Sequence, residues 1–284
     1  MRITRIVALA AAATLTLGGL AACGESNDGG AAAAGIVNKA SKDKKLVIGV
    51  KADQPGLGLQ TGATYEGFDI EIAKIIAKGL GVEPGGIEWK TTVSLNREPF
   101  IQQGQVDLVV ATYTINDERK QKVNFAGPYY VAGQDLLVAA ASTVTGPEAL
   151  SGKRVCSATN STPAKRIKTD YKQIQLVEFD SYSKCINALT GKTVEAVTTD
   201  DIILAGYAAQ EQYAGKFKVV GKTFSSEPYG IGLKKDDKAG CEKINEILKT
   251  AATDGSYKAA WDTSLGKSGK AAPTLDTSKL TNCG

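Results

Sequence analysis

The chain contains no histidine, and that absence removes two common chemistries at once. The usual neutral-pH general base and the usual zinc ligand are both missing, which lowers the expectation of an enzyme. No Cys-x-x-Cys pair occurs, so a cysteine metal site lacks its common framework, and no cofactor or metal is expected. Charge of one sign is scarce as well. Thirty-four Lys and Arg against 30 Asp and Glu leave +4. Residues 1–22 hold two arginines and no acid, so the remainder carries +2. A nearly neutral chain argues against nucleic acid as a partner. Beyond the first two dozen residues no apolar run approaches membrane-spanning length. No internal repeat or low-complexity segment lies in the region from residue 44 onward.

What the N-terminus does contain is a short basic region, Arg2 and Arg5, followed by an apolar stretch of 17 residues from Ile6 to Ala22. This is a signal-peptide pattern over 1–22, on the short side for a spanning helix. It ends in Leu20-Ala21-Ala22-Cys23-Gly24, which resembles a lipobox; the alternative is an ordinary Ala-x-Ala cleavage beside an incidental cysteine. The resemblance implies that Cys23 is lipidated and holds the mature protein on the outer face of the cell membrane. Residues 23–43 are small and polar without periodicity and read as a flexible tether. Four further cysteines are an even number for a secreted chain. The spacings favour Cys156–Cys185 and Cys241–Cys283 over the two other connectivities, each bridge contributing roughly 3–4 kcal/mol.

Strands and helices alternate from there. Strands are expected at Leu46–Lys51, Ile87–Thr91, Val106 onward, Asp135–Ala140, Arg154–Ala158, Gln175–Phe179, Val194–Thr198 and Tyr229–Leu233. Helices are expected at Asp69–Leu80, about Arg97–Gln103, from near Thr162, Ser181 and Asp201, and at about Ala239–Thr253 and Ser256–Leu265. This order argues for an α/β fold of mostly parallel sheets covered by helices.

The segment VDLVVATYTINDERKQKVNFAGPYY, Val106 to Tyr130, carries the most chemistry. Its apolar run is a buried strand ending in two hydroxyls, Thr112 and Thr114, which alternation places on one side. Asn116 or Asp117 caps a short helix, and Arg119 stands in its first turn, where helix electrostatics disfavour a cation. Hydroxyls, helix-start N–H groups and a guanidinium fork together suit a carboxylate. The bland alternative makes Arg119 one solvated charge among several. Position by position, Thr112, Thr114, Arg119, Val123, Phe125, Pro128 and Tyr129 resemble the carboxylate-holding segment of the polar amino-acid-binding proteins of ABC importers, solute-binding protein family 3.

That resemblance implies a two-domain, periplasmic-binding-protein-like (type II) fold with helices on both sheet faces and a ligand cleft between domains. Domain one spans 44–135 plus 230–284, domain two 136–229, with crossings near Gln134–Leu137 and Glu227–Ile231. It further implies that Ala158-Thr159-Asn160-Ser161-Thr162 replaces a Gly-Thr-Thr turn. Asn160 stands where the family has glycine, and Thr162, assisted by Ser161, donates to the carboxylate; a plain helix cap is the alternative for Ser161. Asp200 accepts the ligand's ammonium, and Asp201 is a cap or first-turn acid. The loop Lys51–Gly58 offers no ring to stack on, whereas Asn96-Arg97 resembles the N-R of acidic-amino-acid binders. Arg97 is thus the first candidate for a side-chain carboxylate, with Lys51 and Gln54 as neighbours. The whole resembles the glutamate-binding lipoproteins of actinobacterial importers. The expected role is capture of L-glutamate, or of glutamine, aspartate or asparagine, by a monomeric receptor. It passes its ligand to an ABC permease and its ATPase subunit. A dehydratase-like enzyme on the same fold and a sensor lipoprotein without transport are the alternatives.

Overall fold

A computed structural model describes residues 35–266, 271–280 and 283–284. The expected signal peptide, Cys23 and the first part of the expected tether lie outside the described residues. Thirteen strands are labelled β1 to β13 in chain order among the described residues. In the first lobe, β5 (Ile87–Thr91), β1 (Leu46–Val50), β6 (Leu108–Val109), β13 (Glu227–Leu233) and β7 (Asn124–Ala132) form a five-stranded sheet in that order. The second lobe repeats the plan with β10 (Gln175–Phe179), β9 (Arg154–Ala158), β11 (Ala196–Asp200), β8 (Gln134–Ala139) and β12 (Phe217–Val219). Strand β1 reads LVIGV and pairs in parallel with both β5 and β6. A strand flanked on both edges and covered on both faces needs such a continuous apolar run.

The sheets are mixed rather than mostly parallel. Strand β13 runs antiparallel to β6 and β7, and β8 runs antiparallel to β11 and β12. The cause is connectivity, because these strands carry the chain from one sheet to the other. The chain leaves the first sheet at Ala132 and enters the second at Gln134, with Gly133 between. It returns between Val219 and Glu227, so both changes of sheet fall a few residues before the expected boundaries. The two crossings touch, with Phe224 N–H donating to Gln134 O at 2.9 Å and Gln134 N–H to Ser225 Oγ at 2.9 Å.

Helices α1 (Ile36–Asp43), α2 (Phe68–Gly79), α3 (Arg97–Gln102), α4 (Asp117–Lys120), α5 (Thr162–Asp170), α6 (Tyr182–Thr190), α7 (Asp201–Ala208), α8 (Lys238–Asp254) and α9 (Ser256–Leu265) cover the sheets. Helix α2 buries Ile72, Ala73, Ile76 and Ala77, the i, i+4 face that its sequence announces. Its entry requires Gly67, which has a φ of 119° and where a Cβ would lie 2.3 Å from the Leu57 carbonyl oxygen. Phe68 sits edge-on to Trp261 and Tyr257, at 5.3 and 5.5 Å between centroids, and joins α2 to α9.

Helix α1 corrects the expectation of a flexible tether through residue 43. Ile36 and Ala40, one turn apart, enter the core, and the Ile36 N–H donates to Asp237 Oδ2 at 2.7 Å. Two apolar positions among polar ones give too weak a period to read as a helix. A small antiparallel sheet of β2 (Asp53–Gln54), β3 (Gly58–Thr61) and β4 (Thr64–Glu66) also escaped the sequence reading. Both disulfides form as favoured: Cys156–Cys185 joins β9 to α6, and Cys241–Cys283 joins α8 to the C-terminal residues, with Cα separations of 5.5 and 5.6 Å. Among the described residues no helix is long and apolar enough to cross a membrane.

Candidate functional site

The first-lobe wall begins where β6 ends. Its ladder is only Leu108–Val109, and Thr112 has a φ of 44°, so alternation does not run through from the strand to Thr114 as expected. A β-branched residue holds a left-handed conformation only under constraint. The constraint is Asp69, a buried residue of α2 whose Oδ2 accepts the Thr112 N–H at 2.7 Å while Oδ1 accepts the Tyr129 hydroxyl at 2.7 Å. Burial raises the Asp69 carboxyl to about 6 despite those donors. The Thr112 hydroxyl lies 3.1 Å from Gln54 Oε1. Thr114 points elsewhere, its Oγ1 lying 3.3 Å from Thr162 Oγ1 on the opposite lobe.

Asn116, not Asp117, caps α4: its Oδ1 accepts the Arg119 N–H at 2.9 Å. The Arg119 side chain turns inward and is 5 % exposed, which rules out a solvated surface charge. Nη1 donates to Thr114 O at 2.7 Å, Nη2 reaches Asn160 O of the other lobe at 3.3 Å, and Nε lies 3.3 Å from Glu98 Oε1. Glu98 is a participant the sequence reading missed; as the second residue of α3 it reads as an ordinary first-turn acid. Arg97 is buried too, with Nε donating to Ser94 O at 3.3 Å and Nη1 to the Ala111 and Thr112 carbonyls at 3.2 Å. Arg97 and Arg119 flank the Tyr113 ring at 4.4 and 5.1 Å.

Lys51 lies beside them, its Nζ donating to Ser94 Oγ at 2.9 Å. Burial pushes its amine down to about 7, with the Arg97 charge adding to the effect. Neither Lys51 nor Arg97 forms an ion pair among the described residues. Gln54 is fully buried, and its Nε2 has no hydrogen-bond partner among the described residues.

The second-lobe wall is built from the ends of β9 and β11. Asn160 has a φ of 60°, which explains why glycine suits this position and why asparagine can replace it. Ser161 is the α5 cap, accepting the Ala164 N–H at 3.1 Å with Ser157 Oγ 3.3 Å away. Thr162 opens the helix and is the hydroxyl that meets Thr114. Strand β11 ends at Asp200, two residues beyond the expected end at Thr198. Asp200 Oδ2 accepts the Tyr229 hydroxyl at 2.5 Å, whereas its buried Oδ1 has no partner among the described residues. Burial, with Glu227 adding and Tyr229 opposing, raises the Asp200 carboxyl to about 8. Asp201, the first residue of α7, instead accepts the Gly133 N–H at 3.3 Å at the crossing between sheets.

Across the lobes Thr114 meets Thr162 and Arg119 meets Asn160; Lys51, Gln54, Arg97 and Thr112 stand on the first-lobe side, and Ser161 and Asp200 on the second. Arg119, Glu98, Asn160 and Thr162 also line a groove of about 360 Å³ where the lobes meet. Three buried basic side chains, two hydroxyls from opposite lobes and a buried carboxyl oxygen without a partner among the described residues can bind a zwitterion through both of its charges.

Known proteins share this plan. The chain is 39 % identical over 276 residues to the glutamate-binding protein GluB of Corynebacterium glutamicum, covering 93 % of this chain and 91 % of that one. It is 38 % identical over 245 residues to the ABC transporter glutamine-binding protein GlnH of Bacillus subtilis, covering 84 % and 89 %. Among solved structures, an ancestral arginine-binding protein bound to glutamine superposes with a TM-score of 0.73 at 36 % identity, over 78 % of this chain and 98 % of that one. Residues 46–267 match the family description directly, and the chain belongs to the bacterial extracellular solute-binding proteins, family 3.

Proposed function

We propose that the protein is the amino-acid receptor of an ABC importer and that it captures L-glutamate in the interlobe cleft. Arg119, Thr114 and Thr162 take the α-carboxylate, with Thr112 and Ser161 supporting them. Asp200 takes the ammonium through its unpartnered Oδ1. Arg97 takes the side-chain carboxylate, with Lys51 and Gln54 beside it. A lipidated Cys23 tethers the monomeric receptor outside the membrane, and a permease with its ATPase subunit receives the ligand. No bond is made or broken.

One observation carries the choice of glutamate. Arg97 is buried beside Lys51 with no carboxylate in ion-pair contact among the described residues, and charge held there is costly, which is why the Lys51 amine is pushed down to about 7. A ligand that brings a second carboxylate removes that cost, whereas an amide supplies only hydrogen bonds. The names of the similar receptors from Corynebacterium and Bacillus divide between these same two ligands.

The carboxylate clamp is tested by Arg119→Ala. Losing the fork leaves a buried carboxylate unpaired at a cost of roughly 3–5 kcal/mol, so glutamate binding should fall below detection. A circular dichroism spectrum matching the parent controls for folding, since Glu98 loses its partner in the same variant. Binding within threefold of the parent removes Arg119 from the site.

A further inference from the structure

The lobes also meet through a contact that uses none of Arg119, Thr114, Thr162 or Asp200. Strand β2 of the first lobe lies against α6 and α7 of the second. Asp53 Oδ2 accepts the Ser183 N–H at 3.0 Å, and the Tyr207 hydroxyl bonds the Asp53 carbonyl and lies 3.2 Å from the same carboxylate oxygen. Ser183 is the second residue of α6, so its N–H has no acceptor within the helix. A carboxylate from the opposite lobe satisfies it at the end of the helix that favours negative charge.

The residue beside Tyr207 shows how close the approach is. Gly206 lies inside α7, a position where glycine is intrinsically less favourable than alanine. A Cβ at Gly206 would stand 2.2 Å from the Pro55 carbonyl oxygen, in the turn that follows Asp53 and Gln54. The obstacle is backbone of the other lobe and cannot rotate away. Alanine at 206 is therefore good for the helix and incompatible with this docking of the lobes.

We propose that Asp53 and Pro55 on one lobe, with Ser183, Gly206 and Tyr207 on the other, form a clasp that holds the cleft closed without ligand and thereby sets affinity. The proposal rests on the reading of the cleft as the amino-acid site. When a ligand needs the closed form, its apparent affinity scales with the fraction of molecules already closed. A loosened clasp then weakens every ligand by one factor and leaves the ranking of ligands intact. A residue that contacts the ligand side chain changes the ranking instead.

The test uses the mature protein, Gly206→Ala and the milder Tyr207→Phe, with two measurements. In calorimetry, Gly206→Ala should weaken L-glutamate and L-glutamine alike by about tenfold or more, and Tyr207→Phe should weaken both by a smaller common factor. In hydrogen exchange of the ligand-free protein, the Ser183 amide should be protected in the parent and exchange faster in Gly206→Ala. Unchanged affinities in both variants, a changed glutamate-to-glutamine ratio, or an unprotected Ser183 amide in the ligand-free parent overturns the clasp. If neither amino acid binds the parent while Ser183 protection is present and lost in Gly206→Ala, the clasp stands and the ligand reading fails.

Discussion

Asp200 has one oxygen on Tyr229 and one facing no partner, and its charge depends on what fills the cleft. In the folded, ligand-free protein its carboxyl is raised from 3.8 to about 8, so it holds a proton that the unfolded chain has released. The stability this contributes is complete below pH 4 and is lost as pH rises through 8. Asp69 acts in the same sense only up to about 6. Lys51 acts in the opposite sense, because its amine is lowered from 10.5 to about 7 and the cost of charging it fades only above pH 7. Between pH 6 and 7 the Asp200 effect dominates. Unfolding free energies from denaturant titrations of the ligand-free protein should fall across that interval by about 1.4 kcal/mol, and Asp200→Asn should remove most of the fall. Equal slopes in parent and variant would remove Asp200 as the cause. Arg97 is tested by specificity. At about a hundredfold over Kd a ligand adds roughly 2.7 kcal/mol, equivalent to roughly 5–10 °C in Tm for a chain of this size. Arg97→Met should shrink the glutamate shift and leave the glutamine shift nearly intact. An unchanged glutamate shift transfers the role to Lys51.

At the scale of elements, what was legible was what rests on periodicity and capping. Strands β5, β9 and β10 and helix α9 begin and end where their residue patterns place them. Helix α2 differs by one residue at each end, since Gly67 and not a side-chain cap starts it. The residues proposed for the site stand at strand ends and helix starts, positions that sequence marks well. Glu98 was not legible, because a burial partner 21 residues away in the chain leaves no local signal. Thr112 was misread as part of an alternating strand, since its positive φ is imposed by Asp69 from a different element. Gly133 carries no local mark of the change of sheet there, and the crossing near Gln134–Leu137 was expected from the family resemblance alone. Helix α1 was hidden by its polar composition, and its worth can be measured. A chain starting at residue 44 loses the burial of Ile36 and the Asp237 contact, which should cost about 2–3 kcal/mol of unfolding free energy. An unchanged denaturation midpoint would show that α1 adds nothing to the first lobe.

At the scale of the whole molecule, neither lobe owns the proposed site. Arg119 and Arg97 come from one lobe, Thr162 and Asp200 from the other, and the crossings at Gly133 and near Ser225 join them. A cleft divided this way offers its full set of partners only when the lobes meet, so a ligand that needs both walls favours the closed arrangement. The paired crossings carry the chain between the two sheets, and the two disulfides each stay within a lobe. Titration calorimetry of the mature protein with L-glutamate and L-glutamine under identical conditions tests this account most directly. It predicts one site per chain for each ligand, with glutamate bound more tightly. Tighter binding of glutamine contradicts the role given to Arg97 and Lys51, and the absence of heat with both amino acids contradicts the site itself.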